Sequence, residues 1–515
     1  MSVFGIDLGT CYSCVAKCDD NGVIEVKNDL KTSSPTTPSV VLFKDGVPIV
    51  GKAAKNSMAN KPECCFSFVK REMNKEYLEQ ELKFGGISRK VSPAEIQACI
   101  LRYIFNNANT VVRNTDRESD VTQAVITVPA MFNDTQREKT KLAAQMAGID
   151  VLALVQEPTA AAISYNIRHK ETILVFDLGG GTLDVSIVRN WSGVHSVLGV
   201  PAGNPNLGGK DWDEALVNHV LKKRGLSLSS YSRTSKEWSS LMKTAEEVKK
   251  DLTGMDETDF TIPIPPFDNV TVTRSEFEAV TRNLVVKAMD IVDKAIANAD
   301  NPTINRFVLV GGSSLMPMIK RSLEQKYSSQ YANGRKTKDW LVVSDPDQAI
   351  AKGAAKYAGM LAGLIKNNIK IKDKATHSYG FRCYRYDTDI LIVLNKILST
   401  DPIEISDRRF SLYTRIPNQA IISTTIIEND RTEEEFDFDS QEHPILLEKD
   451  MSLPPNLPKD TEIFYILNRD KNGIIDVHVE CQGRELKFKA KEIVSSSIKK
   501  QIEETVCKMR NAENS

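Results

Sequence analysis

No run in the 515-residue sequence approaches the roughly 20 consecutive apolar residues of a membrane-spanning helix, so no helical membrane span is expected. Neither sign of charge prevails. The chain carries 67 Lys and Arg against 68 Asp and Glu, and no global field points to nucleic acid or to a membrane surface. The opening residues, MSVFGIDLGT, run straight into a glycine turn, so no secretory leader is expected. A disulfide framework is also missing. The nine cysteines are odd in number and scattered without framework spacing, which fits free thiols in a reducing cytosol and a cytoplasmic protein. Cys11, Cys14 and Cys18 stand close together, but no histidine or further cysteine is spaced beside them as a ligand set. Neither a metal nor a redox site is expected there.

What the chain does contain is a recurring acidic-glycine turn. GIDLGT at Gly5 to Thr10 returns, enlarged, as VFDLGGGTLD at Val175 to Asp184, about 170 residues later. Each copy reads as an apolar strand with Asp at its end and Gly plus Thr in the turn that follows. Glycine lets backbone N–H groups approach phosphate oxygens closely, and successive N–H groups in such a turn form an anion-binding nest. The Asp would repel phosphate, so it is expected to hold a divalent cation or its water. A third segment, FVLVGGSSLMP at Phe307 to Pro317, is another apolar strand entering a Gly-Gly turn. One such turn closes many hairpins; three in order point to two halves that hold one nucleotide between them.

Length suggests about three domains. Strands and helices alternate through residues 1–364, as in an α/β domain. QAVITVPAMF at Gln123 to Phe132 reads as a buried strand, followed by a helix with Asn133 or Asp134 as its N-cap and Gly148 as its stop. Further helix is expected over Glu237 to Leu252 and a short strand over Thr258 to Ile262. Residues 365–376 include KNNIKIKDKAT, which lacks a helical stripe and reads as a lysine-rich linker. Residues 377–494 switch to short alternating runs. IIDVHVE puts Ile475, Val477 and Val479 on one face, LKFKAK repeats the pattern, and DKNGI offers an Asn-Gly turn. An antiparallel β-sandwich is expected there. Residues 495–515 hold one short amphipathic helix with Ile498, Ile502, Val506 and Met509 on a common face, then a polar tail.

GIDLGTCYSCV, AVITVPAMFNDTQR, VQEPTAAAISY, FDLGGGTLDVSI, NLGGKDWD, VLVGGSSLMP and DPDQAIAKGAA stand in the order seen in DnaK-type chaperones, and the chain resembles the heat-shock protein 70 family. The resemblance covers essentially all of residues 1–360 and is weaker over about 376–490. It implies an α/β actin-like ATPase domain of two lobes followed by an all-β sandwich that clamps peptide. It also implies ATP or ADP with Mg2+, and K+ as a further cation. By matching motif, Gly9, Thr10, Cys11 and Tyr12 form the first phosphate loop with Asp7 at the metal. Gly180, Gly181 and Thr182 form the second, with Asp177 and Asp184 beside the metal. Lys70, in FSFVKRE, resembles the lysine that positions the attacking water, and Glu157, in QEPTAAA, the acid that orders water and magnesium. The catalytic set implied is Lys70, Glu157, Asp177 and Thr182, and the metal set Asp7, Asp177 and Glu157. Glu246 and Lys249 resemble the pair at the ribose, while Gly312, Ser313, Ser314 and Leu315 fall at the adenosine. A lone lysine is by default a solvated surface residue; the motif around Lys70 is what singles it out.

The chain departs from the family pattern at several points. Cys11 stands where a second Thr is usual, and Lys250 and Leu315 stand where Arg commonly stacks on adenine, so apolar contact is expected to hold the base. The linker is basic where the family's is acidic and leucine-rich, and a single short helix follows the sandwich where a helical lid is usual. The resemblance implies an ATP-dependent chaperone whose nucleotide state gates binding of unfolded or extended polypeptide, served by a J-domain co-chaperone and a nucleotide exchange factor, and a monomer is expected. The alternative is a specialised lidless paralogue that binds ATP as an adaptor or co-chaperone, for example at the ribosome. Neither nucleic acid nor membrane is expected as a partner. ATPase turnover with and without unfolded peptide separates the two readings.

Overall fold

Two apolar hairpins, one at each acidic-glycine turn, start two sheets of the same design. β1 (Val3–Asp7) returns antiparallel as β2 (Tyr12–Cys18), which pairs with β3 (Ile24–Val26). On its other side β1 takes β4 (Gln123–Val128) in parallel, and β4 takes β5 (Asp150–Gln156) in parallel, giving the order β5-β4-β1-β2-β3. The second sheet repeats the pattern with β6 (Glu171–Leu178), β7 (Leu183–Trp191), β8 (Val194–Asn204), β9 (Arg306–Val310) and β10 (Leu341–Val343), in the order β10-β9-β6-β7-β8. Here too the hairpin is antiparallel and the two added strands are parallel. These structures come from a computed structural model that describes residues 2–514 apart from 85–86, 234, 266, 344, 367–368, 373–376, 387, 400, 403, 430, 440–444, 471–474 and 490–494.

The chain falls into two compact units and does not divide linearly. One comprises Met1–Ala130, Thr140–Ile369 and Ser497–Ser515; the other comprises Met131–Lys139 and Lys370–Ser496. The helices of the first unit are α1 (Pro93–Val111), α3 (Glu157–Ser164), α4 (Gly209–Lys223), α5 (Lys236–Gly254), α6 (Arg274–Asn298) and α7 (Ala349–Leu361), while α2 (Asp134–Met146) is divided, its residues up to Lys139 grouping with the second unit and the rest with the first. Residue Asn133 caps α2 with a reciprocal box, its Oδ1 accepting from the Gln136 N–H while the Gln136 Oε1 accepts from its own. The core under the second sheet gathers Phe176, Trp212, Leu216, Phe260 and Phe307.

α7 and α3 cross tightly between the sheets. A Cβ on Gly5 would lie 1.9 Å from the Ala355 nitrogen, and one on Gly353 would lie 1.8 Å from the Ala160 oxygen. Only glycine permits these approaches, so the small-residue runs AKGAA and EPTAAA fix how closely the two halves meet.

α8 (Ser496–Asn514) buries Ile498, Ile502, Val506 and Met509, the face its spacing predicts. From Ser497 onward it belongs to the first unit and lies along α1. The Thr505 hydroxyl donates to Glu95 at 2.6 Å, Gln501 donates to the Lys90 carbonyl, and Glu513 accepts from Arg102 and Asn106.

The second unit is antiparallel β. One sheet orders β15 (Glu435–Asp437), β12 (Leu391–Ile397), β11 (Ser378–Tyr384), β14 (Ile421–Asn429) and β16 (Ile445–Ser452). The other orders β13 (Ile405–Tyr413), β17 (Glu462–Arg469), β18 (Ile475–Cys481) and β19 (Arg484–Lys489). Tyr379, Phe381 and Ile426 from the first share one core with Tyr465, Leu467, Val477 and Val479 from the second. The alternation read in β18 is present, with Ile475, Val477 and Val479 buried and Glu480 exposed. Most of the Asn-Gly turn, at 471–474, lies outside the described residues, as do 367–368 and 373–376 of the basic segment, in which Lys370–Lys372 forms a short strand.

Candidate active site

Both hairpin turns end at the same place. A Cβ on Gly180 would lie 2.3 Å from the Cys11 sulfur, and one on Gly181 would lie 2.5 Å from the Thr10 Cγ2, so the loops Gly9–Tyr12 and Gly179–Thr182 face each other at contact distance. Gly208, just before α4, packs its α-carbon on Gly181 in the same way. The next two residues donate backwards into the second loop, Gly209 to the Gly179 oxygen and Lys210 to the Gly180 oxygen. Glycine is required wherever these backbones touch, which explains GGG and NLGGK.

Behind the loops lie four carboxylates and one ammonium. Lys70, from the turn Val69–Glu72, forms a short ion pair with Glu157 at the start of α3, both buried. Phe68, just before that turn, holds φ at 59°, a left-handed conformation that a bulky residue seldom adopts and that marks local strain. Asp7 ends β1 and accepts from the Thr127 hydroxyl at 3.2 Å. Desolvation, with Glu157 adding to it, pushes Asp7 up to about 7, and Lys70 only partly offsets this. Asp184 is likewise pushed up to about 7 by desolvation and Glu157. Desolvation raises Asp177 well above the carboxylate range, with Glu157, Asp184 and Asp7 contributing. Desolvation would lower Lys70, but Glu157 and Asp7 outweigh it and keep it charged. So much crowded negative charge calls for a cation.

The donor atoms of these acids do not form a tight cage. Among the described residues, the one trio of possible metal donors within 4.8 Å of one another is His478, Glu480 and Glu485, exposed or half-exposed on β18 and β19. A hard cation held through its own water shell suits the wider spacing of Asp7, Asp177, Asp184 and Glu157, and magnesium keeps several waters when bound.

On the far side of the loops, Tyr12 donates to Glu246 at 2.7 Å. Glu246 also takes Lys55 at 2.5 Å and Lys250 at 2.7 Å. Burial opposes ionisation of Glu246, yet Lys55 and Lys250 hold it far below the usual carboxylate range. Lys55 lies over the Tyr12 ring at 4.7 Å, so this cluster ties the first half of the unit to the second. Lys249 turns the other way, to Asp213 at 2.7 Å and the Gly209 carbonyl at 2.9 Å. Glu246 and Lys249 therefore share a helix but no partner. Gly311, at φ 78°, packs against Asp177, whereas Gly312 has open space around it. Ser313 is near Gly209, Ser314 donates to the Val310 carbonyl, and Leu315 is 49% exposed. Cys11 is pushed up to about 12 by burial and by Glu246, an inert thiol rather than a nucleophile.

Sequence reasoning missed Lys55, Arg71, Thr127 and Asp213. Lys55 and Glu246 are 191 residues apart, and Asp213 lies inside the GGKDWD motif without any sign of its lysine partner. The one signal available was that a buried acid needs a cation.

The sequence pattern described as Hsp70 protein matches residues 3–515 of this chain. Members of that family bind ATP, hydrolyse it, and act as chaperones in protein folding and the stress response.

Proposed function

The chain belongs to the Hsp70 family, and from that premise we propose that its first unit is a two-lobed, actin-like ATPase whose nucleotide state gates peptide binding by a β-sandwich in its second unit. The observation that carries the proposal is the apposition of the two glycine loops over the buried Lys70–Glu157 pair. The repeated strand order of the two sheets supports two lobes.

In this reading the backbone N–H groups of Gly9–Tyr12 and Gly180–Thr182 receive phosphate oxygens. Lys70 orients the attacking water, with Glu157 holding both the ammonium and the water in place. Asp7, Asp177 and Asp184 with Glu157 would hold magnesium, which when bound would neutralise charge on the phosphates. Such catalysis needs little covalent chemistry from the protein and much placed charge. Glu246 is offered to the ribose with Lys249 beside it, and Lys250 and the Gly312–Leu315 turn border the base. The high pKa values of the acids describe the site before the cation arrives.

A peptide site in the second unit is supported by a group of exposed apolar side chains at one end of its sheets. Tyr384, Tyr386, Ile390, Ile416 and Ile421 are 43 to 69% exposed. Arg415 ties two of the loops there, lying 3.7 Å over the Tyr384 ring and pairing with Asp389 at 2.6 Å. An extended apolar segment fits such a surface. A J-domain protein and a nucleotide exchange factor are the partners this reading requires, and the cytoplasm is its compartment. ATP turnover measured alone, with unfolded peptide, and with a J-domain protein tests it. Stimulation by both supports the chaperone. ATP binding without stimulation by either moves the chain to the adaptor reading.

A further inference from the structure

Beyond the second glycine loop the first unit contains an open cavity of about 820 Å³ that the proposed chemistry leaves unused. Its inner end is formed by Arg71, Lys210 and Asp211. Arg71 directly follows Lys70 in the chain, and its Nε lies 3.1 Å from where a Cβ on Gly181 would stand. Lys210 is tied by its backbone N–H to the Gly180 carbonyl. Farther out the wall carries Tyr231, Arg233 and Trp238. The cavity thus starts where the second loop ends.

Its charges are unevenly matched. Arg233 pairs with Glu214 at 2.7 Å and lies over Trp238. Asp211 accepts from the Gly208 N–H at 2.7 Å and stands 3.6 Å from Arg71 Nη2. Lys210 has its ammonium 4.5 Å from the Phe68 ring centre and no carboxylate paired with it among the described residues. Desolvation, with Arg71 and Arg233, lowers its pKa, the sign of a cation in cationic surroundings. Arg71 is mostly buried, and its Nε and Nη2 have no hydrogen-bond acceptor among the described residues. Two buried donors of one guanidinium fork left unsatisfied, beside an unpaired ammonium, match a small oxyanion. Such an anion arises at the adjacent loop in every turnover, and the opposite side of the loops is tied shut by Lys55, Tyr12 and Glu246.

We propose that this cavity receives inorganic phosphate after hydrolysis, holding it on Arg71 and Lys210 before it leaves past Arg233 and Trp238. The proposal rests on the hydrolysis reading, but its first test does not require turnover. Inorganic phosphate titrated calorimetrically into the ADP- and magnesium-loaded chain is expected to bind. Lys210→Met is expected to weaken binding about tenfold, the order expected for one unit charge lost in a partly screened site. Lys210→Arg is expected to restore it.

The second test separates bond cleavage, followed by acid quench, from the appearance of free phosphate, followed with a fluorescent phosphate sensor. In a single turnover free phosphate is expected to lag cleavage, and Lys210→Met to shorten the lag while cleavage keeps its rate. Equal phosphate affinity in the parent chain, Lys210→Met and Lys210→Arg would overturn the proposal, as would an unchanged lag. Absence of cleavage in a chain that binds phosphate through Lys210 would overturn the hydrolysis reading and leave the cavity assignment standing.

Discussion

The two glycine hairpins differ most at one position. In the first, Asp7 pairs across the strands with Cys14; in the second, Asp177 pairs with Asp184. The register and the seven-residue spacing are the same, so one fold element carries one acid in the first half and two in the second. Cys14 is 2% exposed and burial raises its thiol well above the ordinary range, so it packs as a small apolar residue. The turns differ in the same direction. The first uses one glycine and closes on Tyr12, whereas the second uses three and closes on Thr182. The two hairpins therefore differ in their surroundings: the first faces the lysine cluster around Glu246, and the second adds one buried acid to the group around Lys70.

The largest effect is expected from the group that both hairpins face. Lys70→Ala removes the one ammonium among four acids and leaves Glu157 buried without its partner. Single-turnover hydrolysis is expected to fall by about 10²–10³-fold, the usual cost of removing one preorganised electrostatic group, while ATP stays bound to the backbone loops. Hydrolysis at the parent rate would remove Lys70 from the chemistry.

Making the first hairpin resemble the second is expected to cost folding stability. Cys14→Asp buries a carboxylate with Asp7 directly opposite and Asp347 adding to the repulsion, which Lys352 only partly offsets, a change of about 3 kcal/mol or more on the scale of poorly paired buried charge. A thermal melt of the nucleotide-free chain checks this, and an unchanged midpoint would mean that water already reaches Cys14.

The strands entering the glycine turns, and the turns themselves, were legible in the sequence because they follow from short-range rules, whereas the order of strands in each sheet was not. An apolar strand entering Gly-rich backbone, and the small residues of EPTAAA and AKGAA, leave few alternatives. The amphipathic face of α8 was equally legible at Ile498, Ile502, Val506 and Met509. Its partner surface on α1 was not, because periodicity reports that a face is buried and not against what. The same limit hid the grouping of Met131–Lys139 with the β unit, where Asp134 and Arg469 pair at 2.8 Å with both side chains buried. Motif matching proposed Asp7, Lys70, Glu157, Asp177 and Asp184, which the fold brings into one electrostatic group. It could not propose Lys55 or Asp213, because a salt bridge leaves no trace in either partner's local sequence.

The doubled acid of the second hairpin is expected to give a pH signature. Asp184 is held near 7 in the folded chain against 3.8 in its absence of perturbation, and Asp7 is similar. Between those values the folded state binds more protons than the unfolded state, so stability falls as pH rises from about 4 to about 7 and levels off above. In the metal-free, nucleotide-free chain the melting midpoint is expected to drop across that window. Asp184→Asn is expected to flatten the drop, whereas Cys14→Ser, at the matching position of the first hairpin, is expected to leave it unchanged. Magnesium with nucleotide is expected to raise the midpoint most at the alkaline end, where the acids are ionised. A midpoint that rises with pH would contradict the crowding of carboxylates on which the difference between the hairpins rests.

The smallest effect concerns the third glycine turn, which is open where the first two are closed in. Gly312 has free space around it and Leu315 is 49% exposed, so a longer side chain fits there without displacing the core. If this turn borders the base, Leu315→Arg adds a planar cation able to lie over an aromatic ring, a contact of about 0.5–2 kcal/mol. ADP binding measured by calorimetry is expected to tighten by several-fold, with uridine diphosphate gaining less because its ring offers a smaller face. Asp177→Asn measured alongside is expected to weaken the magnesium-dependent part of binding, since a neutral amide is a poorer ligand for a hard cation. Tightening in the first variant and weakening in the second would assign the third turn to the base and the second hairpin to the metal. An unchanged ADP affinity in Leu315→Arg would mean that this side chain points away from the nucleotide, and that the openness of the third turn serves something other than the base.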